Sequence, residues 1–363
     1  MKKILIIGPF PDPISGVSLA NQVVSEILSN EVNWNVSKLN TSFNKFDENV
    51  GSFSWDKLFF NLKFNLSVFK VINHDVIYLT PGQTFYGVTK YLLFFLFSWC
   101  FGKEIIFHVH GNHLAKEYSD LTGIKKWLFH FVLSKSKKGI VLSESLMDNI
   151  SPFVAENGRF YLFNFAQDWS GYEAKNVEIE KKGLRIVFLS NLMKEKGIND
   201  LLNALIQLEK SGIKYEARIA GNIDAENESQ VMDKLKELNN TSFIGVVKGQ
   251  AKFELLEWAN TFVLPTYYKM EGQPISILEA MAAKCVIVTT KHAGIPDIIQ
   301  ESKNGLFVEK QNSDSIYSVF RKLNKYPIKY NEIAMNNRVE YLEKYTVAVF
   351  GKQLLKILNS DTK

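Results

Sequence analysis

The stretch Thr261–Thr290, TFVLPTYYKMEGQPISILEAMAAKCVIVTT, decides the fold. Its two ends, Thr261–Thr266 and Cys285–Thr290, are short and almost continuously apolar. Between them Pro274, whose fixed φ suits the first helical position, opens a helix through ISILEAMAAK. Continuous apolar strands separated by helices belong to parallel sheets covered on both faces.

Outward from this unit the same alternation repeats. The first half offers KILIIG (3–8), DVIYLT (75–80), EIIFHVHG (104–111) and KGIVLS (138–143) as strands, with VSLANQVVSEILSN (17–30) as a helix. The second half offers LRIVFLS (184–190), YEARIAG (215–221), TSFIG (241–245) and GLFV (305–308). Between the two runs, QDWSGYEAKNVEIEKKG (167–183) is polar and aperiodic and reads as a linker. The expected class is α/β, with two Rossmann-like doubly wound domains facing across a cleft. Residues 1–170 form the first, 171–345 the second, and 346–363 a closing helix with apolar Val347, Phe350, Leu354 and Ile357 or Leu358 on one face. A ligand is expected in the cleft, at the carboxyl ends of the strands.

Composition narrows the function. The 363 residues are 46% hydrophobic and 22% charged, with a net charge of +5. That mild excess does not make the dense basic stripe of a nucleic-acid binder. Cys100 and Cys285 both sit in apolar runs and read as buried free thiols, without disulfide or zinc spacing. The start, MKKILIIGPF, has an apolar run shorter than the roughly 7–15 residues of a signal peptide and reads as a first strand, which leaves the cytoplasm as the default. YLLFFLFSWCFG (91–102) falls short of the ~18–20 residues that span a bilayer and is expected to be a buried helix. FFNLKFNLSVFKVI (59–72) reads as a core-facing helix with wet lysines, an interfacial helix being the alternative.

Two acids in EGQPISILEA need explaining. Glu271 precedes the helix and Glu279 lies inside it, five residues past Pro274 and about 7.5 Å along the axis. A helix N-terminus carries partial positive charge and unpaired N–H groups that suit phosphate. Gly272 lets backbone approach a ligand, and Gln273 before the proline is extended. The arrangement fits a nucleoside diphosphate sugar: diphosphate at the helix start, sugar hydroxyls at Glu271, ribose diol at Glu279. The plainer alternative pairs Glu279 with a basic residue and leaves Glu271 a loop charge. A glycoside hydrolase pair is also open, though only one acid lies within the helix and the strands around it read as nucleotide-binding.

Residues 263–308 carry Glu-x7-Glu, EAMA, GIPDII and NGLFV in order, and this block resembles the retaining glycosyltransferases of family four, the glycosyl transferases group 1, which have the GT-B fold. The resemblance extends to FLSNLMKEKGINDLLNAL (188–205), where Lys196 matches a lysine on the donor diphosphate. Asn191 stands where the family usually has arginine, so either Asn191 bonds a phosphate neutrally or Lys194 substitutes. NTSFIGVV (240–247), with Val246, is similar to the segment whose backbone reads the donor base. YLFNFAQD (161–168) places Asn164 at the family's asparagine. GPFPDPISGVSLAN (8–21) resembles the loop after the first strand, with Ser15-Gly16 where the family often has Gly-Gly. In FHVHGNH (107–113), His110 takes the position of the histidine on the donor sugar, and His108 reads as a packed core histidine.

The resemblance implies sugar transfer from a nucleoside diphosphate sugar, with UDP the expected base and no further cofactor. The implied catalytic groups are Glu271, Lys196 and His110. The implied donor contacts are Gly16, Asn191, Lys196, Val246, Gly272, Gln273, Pro274, Ile275 and Glu279. The chain has no Asp-x-Asp, so no metal site is expected. The expected acceptor is a glycan or polyprenyl-linked oligosaccharide in bacterial surface polysaccharide synthesis, with peripheral contact at the inner face of the cell membrane as an open alternative. Rival readings are a sugar-nucleotide epimerase, a phosphorylase, or an inactive partner that binds nucleotide sugar. A dehydrogenase is poorly supported, because GPFPDPISG lacks G-x-G-x-x-G.

Overall fold

A computed structural model describes residues 1–42, 63–166, 169 and 183–361. The chain divides into two compact units, Met1–Phe163 with Gly351–Lys363, and Asn164–Phe350. Apart from Trp169 and Gly183, the expected linker lies outside the described residues, as do the first four residues of the 59–72 segment.

In the first unit, β1 (Lys2–Gly8), α1 (Gly16–Ser29), β2 (Trp34–Asn40), β3 (Val76–Leu79), α2 (Phe85–Thr89) and α3 (Leu92–Cys100) come first. Then follow β4 (Glu104–His108), α4 (Leu114–Asp120), α5 (Gly123–Leu133), β5 (Lys138–Val141) and β6 (Arg159–Tyr161). The strands form a parallel sheet ordered β2-β1-β3-β4-β5-β6. Ile4, Leu5, Ile6 and Ile7 of β1 are fully buried. Each such side chain contributes roughly 1.5–3 kcal/mol on burial, so the central strand anchors the sheet. Ser15 caps α1 by a reciprocal box with Ser18, its Oγ accepting from Ser18 N at 3.1 Å while Ser18 Oγ accepts from Ser15 N at 2.8 Å.

The second unit holds β7 (Leu184–Leu189), α6 (Ile198–Lys210), β8 (Tyr215–Ala220), α7 (Glu228–Lys236), β9 (Thr241–Gly245) and α8 (Gly249–Trp258). It continues with β10 (Thr261–Leu264), α9 (Ile275–Ala282), β11 (Val286–Thr290), β12 (Gly305–Val308), α10 (Ser313–Lys325) and α11 (Pro327–Lys344). Its parallel sheet runs β12-β11-β10-β7-β8-β9. Strand order therefore reverses between β7 and β10. At such a switch point the two connections leave on opposite faces and open a crevice at the carboxyl ends.

The last helix, α12 (Val347–Asn359), buries Phe350, Leu354, Ile357 and Leu358 as its periodicity predicts. Its carboxyl end belongs to the first unit, where the fully buried Lys138 donates to Ile357 O at 2.9 Å and Leu358 O at 3.1 Å. Glu104 lies 3.1 Å from the same ammonium, so a buried cation meets both a carboxylate and the negative end of a helix.

Three expectations need correction. Cys100 is exposed, because it ends α3 on the outer side; only Cys285 is buried. The 91–102 run is not wholly buried: Phe94 and Phe95 enter the core, while Trp99 and Phe101 face outward. The strand expected over 104–111 stops at His108, so His110 stands on the connection beyond it.

Candidate functional site

The crevice of the second unit is built from two connections. After β7 the chain turns through a 3-10 segment, Lys194–Lys196, and enters α6 at Gly197 with φ of +79°. A Cβ at Gly197 would lie 2.5 Å from Pro265 O, so only glycine lets the two connections meet this closely. After β10, Tyr267 N donates to Glu195 O at 2.8 Å and ties the loops together. These contacts set Lys196 opposite Glu271: Nζ donates to Oε2 at 2.7 Å, with side chains only 14% and 8% exposed. Thr266 Oγ1 donates to the same Oε2 at 2.8 Å. The Lys196 ammonium also lies 5.0 Å from the centroid of the Tyr268 ring. Burial, then the nearby Glu271 and Glu195 charges, raise the Tyr268 hydroxyl above its ordinary value.

His292, on the connection after β11, ties a third loop to these two. Its Nε2 lies 2.8 Å from Tyr268 O and its Nδ1 3.0 Å from Lys310 Nζ. An ammonium cannot accept, so Nδ1 accepts and Nε2–H donates, which makes the ring neutral. Burial is the main cause lowering its pKa, against the raising effect of the Tyr268 carbonyl.

Next comes the start of α9. Pro274 is the N-cap with φ −62° and ψ 120°, one place before the first helical position expected for it, and no side chain caps the helix. Gly272 O accepts from Gly294 N at 3.0 Å. Gln273 is buried and clasps Asn164: Asn164 N donates to its Oε1 at 2.8 Å, and Asn164 Nδ2 to its carbonyl at 3.0 Å. Gln273 Nε2 is buried without a hydrogen-bond partner. Uncapped helical N–H groups and a buried amide donor together form a set of donors suited to an anion.

Glu279 resolves toward the plainer alternative. It is buried and paired with Lys252 of α8, rather than standing open on the helix face. Burial raises its pKa, while Lys252 opposes the rise. Ile275 is partly exposed at the first turn; Asn191 is exposed after β7, and Val246 is exposed just past β9. The structure thus brings together Lys196, Glu271, Gly272, Gln273, Pro274 and Ile275. Thr266, Tyr268, His292, Lys310 and Lys252 join this neighbourhood without having been singled out. Nothing in the spacing marked them except that three lie in loops flanking the motif.

In the first unit, the strand order switches between β1 and β3, beside Gly8. A Cβ on Gly8 would be 1.9 Å from Thr80 Oγ1 and 2.4 Å from Asn21 Nδ2. Gly16 is exposed at the first turn of α1. His108 is buried, as read, and its Nδ1 meets Tyr78 Oη at 2.6 Å. His110 lies over it, ring centroids 4.1 Å apart. Both nitrogens of His110 and Nε2 of His108 are buried without hydrogen-bond partners. Burial pushes His110 down to about 4, and burial with the neighbouring His110 ring holds His108 well below its ordinary value, so both are neutral at ordinary pH. Among the described residues no three His, Cys, Asp or Glu side chains gather as a metal ion would need.

Residues 172–340 match the family model for glycosyl transferases group 1. This segment is a group 1 glycosyl transferase domain. The chain is 22% identical over 245 residues to the capsular polysaccharide biosynthesis glycosyltransferase CapM of Staphylococcus aureus, covering 68% of this chain and 62% of that one. It is 24% identical over 180 residues to the amylovoran biosynthesis glycosyltransferase AmsK of Erwinia amylovora, covering 48% and 44%. The chain thus spans less than two thirds of either relative's length. The solved structure of Anabaena Alr3699/HepE in complex with UDP-glucose superposes with a TM-score of 0.74 at 15% identity, over 99% of this chain and all of that one. The glycosyl transferase domain therefore sits in a chain with the GT-B fold, two Rossmann-like units carrying parallel sheets.

Proposed function

We propose that the protein moves a sugar from a nucleoside diphosphate sugar, with UDP as the base, to a glycan or polyprenyl-linked oligosaccharide in bacterial surface polysaccharide synthesis. The observation that carries this reading is the Lys196–Glu271 pair beside the uncapped start of α9, at the strand-order switch of the second unit. The second unit takes the nucleotide sugar and the first the acceptor. Relatives named for capsular polysaccharide and amylovoran synthesis support the acceptor class.

In the transfer the bond from the anomeric carbon to diphosphate oxygen breaks, and charge grows on the departing diphosphate. Lys196 and the N–H groups of Ile275 and Ser276 stabilise that charge, a fixed potential worth several kcal/mol in a shielded site. They do so without a metal ion. Lys196 leaves Glu271 for the diphosphate, and the freed carboxylate accepts from sugar hydroxyls. The acceptor oxygen attacks on the face the diphosphate leaves, so configuration is retained, and its proton passes to a diphosphate oxygen. His110, neutral and with unpartnered nitrogens, is suited to a sugar hydroxyl.

The test is a melting series with UDP-, GDP-, ADP- and dTDP-sugars. A ligand at a hundred times its Kd stabilises the folded state by about 2.7 kcal/mol. A UDP-sugar should raise the melting temperature while other bases leave it unchanged; transfer to a lipid-linked acceptor should then persist in EDTA. No stabilisation by any nucleotide sugar would overturn the reading.

A further inference from the structure

The first unit carries an apolar surface that its core does not use. Ser67–Asn73 forms a 3-10 turn that packs on α3, and α3 packs on α5. Their inner residues, including Val68, Val71, Phe94, Phe95, Phe129 and Val132, fill the core. Their outer residues are also large and apolar: Phe69 is 59% exposed, Trp99 51%, Ile124 79% and Trp127 60%. Ring contacts join them in two rows. Phe69 meets Phe97 at 5.7 Å and Phe97 meets Phe101 at 6.0 Å; Trp99 meets Phe131 at 6.3 Å and Trp127 stacks on Phe131 at 5.1 Å. Exposed apolar rows of this kind mark a contact site.

Charge decides which partner. The segments 63–74, 84–103 and 121–137 contain Lys63, Lys70, Lys90, Lys103, Lys125, Lys126, Lys135 and Lys137, and no Asp or Glu. The flanking acids are engaged: Asp75 accepts from Lys3 N at 2.8 Å, Glu104 pairs with Lys138 at 3.1 Å, and Asp120 pairs with Lys116 at 2.8 Å. Lys135 Nζ stands 4.4 Å from the Trp99 ring centroid and 4.6 Å from that of Phe131, an ammonium riding over aromatic rings. Tryptophan and phenylalanine that enter the acyl boundary, with lysines reaching the headgroups, are what an anionic bilayer surface selects. A neutral protein partner would not require three such segments that carry lysines and no carboxylate.

We infer that the outer face of α3, α5 and the Ser67–Asn73 turn docks on an anionic phospholipid bilayer, lying in its interface. Among the described residues no helix is long and apolar enough to cross a membrane, so the contact is peripheral. The inference does not rest on the transfer reaction.

Flotation of the full chain with phosphatidylcholine vesicles, with and without phosphatidylglycerol, tests it. Binding is expected on the anionic vesicles alone and should weaken as salt rises. Lys125→Glu and Lys126→Glu should each reduce it about fivefold or more, since one lysine near such a surface is worth about 1 kcal/mol. Ile124→Ser, at a site too exposed to matter for folding, should reduce it as well, with its melting temperature unchanged. Brominated acyl chains should quench tryptophan fluorescence less in Trp127→Phe. Absence of vesicle binding, equal binding to neutral vesicles, or a dimer dissolved by Ile124→Ser without vesicle uptake would each overturn the inference.

Discussion

The Lys196 ammonium and the Glu271 carboxylate lie 2.7 Å apart in a largely buried pair at the strand-order switch of the second unit. Each is thus neutralised by the other before any ligand arrives. That arrangement avoids holding a lone buried charge; on the proposed reading, its cation is the one a diphosphate would claim.

Removing the cation should slow the reaction and, by leaving the largely buried Glu271 carboxylate uncompensated, also lower the melting temperature. Lys196→Ala is expected to slow single-turnover transfer by about 10²–10³-fold, the usual loss of one preorganised donor to a growing negative charge. Donor affinity should fall less, because the α9 N–H groups persist. Lys196→Ala turning over at the wild-type rate would remove the charge argument.

A second buried pair joins α8 to α9. Glu279 is held by Lys252, and burial still raises its pKa above the ordinary 4.5. For an acid whose folded pKa is raised, the stabilising contribution is full below about 4.5 and is lost as pH rises through the folded value. Lys252→Met removes the opposing cation and leaves a buried carboxylate uncompensated, a change worth about 3–5 kcal/mol. The variant should melt near the wild type at pH 4.5 and far below it at pH 8. Parallel melting of Lys252→Met and wild type across that range would show that the pair is not electrostatically coupled to stability.

Much of this was legible in the residues. β1, β3, β10 and β11 read as strands because burial on both faces leaves a continuous apolar run. β2 and β6 did not: WNVSKLN alternates with polar residues, and RFY is too short to show a pattern. The Lys196–Glu271–α9 neighbourhood was legible through ordered motifs in adjoining loops. Partnership was not. Lys252 is a lone lysine on α8, and only the packing of α8 near α9 places it on Glu279. Lys310 is likewise visible only through His292, 18 residues before it. The outward turn of Trp99 and Cys100 was missed because an unbroken apolar run hides which face meets solvent.

Acid should weaken the first unit through His110. Its folded pKa of about 4 lies below the ordinary 6.5, so between those values the unfolded chain binds a proton that the folded chain refuses. Stability from this group is full above about 6.5, falls as pH drops toward 4, and then levels. At about 1.4 kcal/mol per unit the loss is at most roughly 3 kcal/mol, and His108 acts in the same direction. His110→Gln should flatten the melting-temperature profile over this window. A variant profile as steep as the wild type's would assign the acid sensitivity elsewhere.

The clasp between Asn164 and Gln273 should be strongly coupled. Gln273→Ala deprives the buried Asn164 N–H of its 2.8 Å acceptor, at a cost of about 1–3 kcal/mol. Asn164→Ala removes the 3.0 Å bond to the Gln273 carbonyl, which fixes the backbone just before α9. Both single variants should melt lower, and both should bind a nucleoside diphosphate less tightly, because the N–H groups of α9 lose their aim. Because the two bonds join the same pair, the double variant should lose less than the sum of the singles, by about 0.5–3 kcal/mol. Strict additivity in denaturant melts would mean that each side chain acts through other neighbours and that the clasp does not position the helix start.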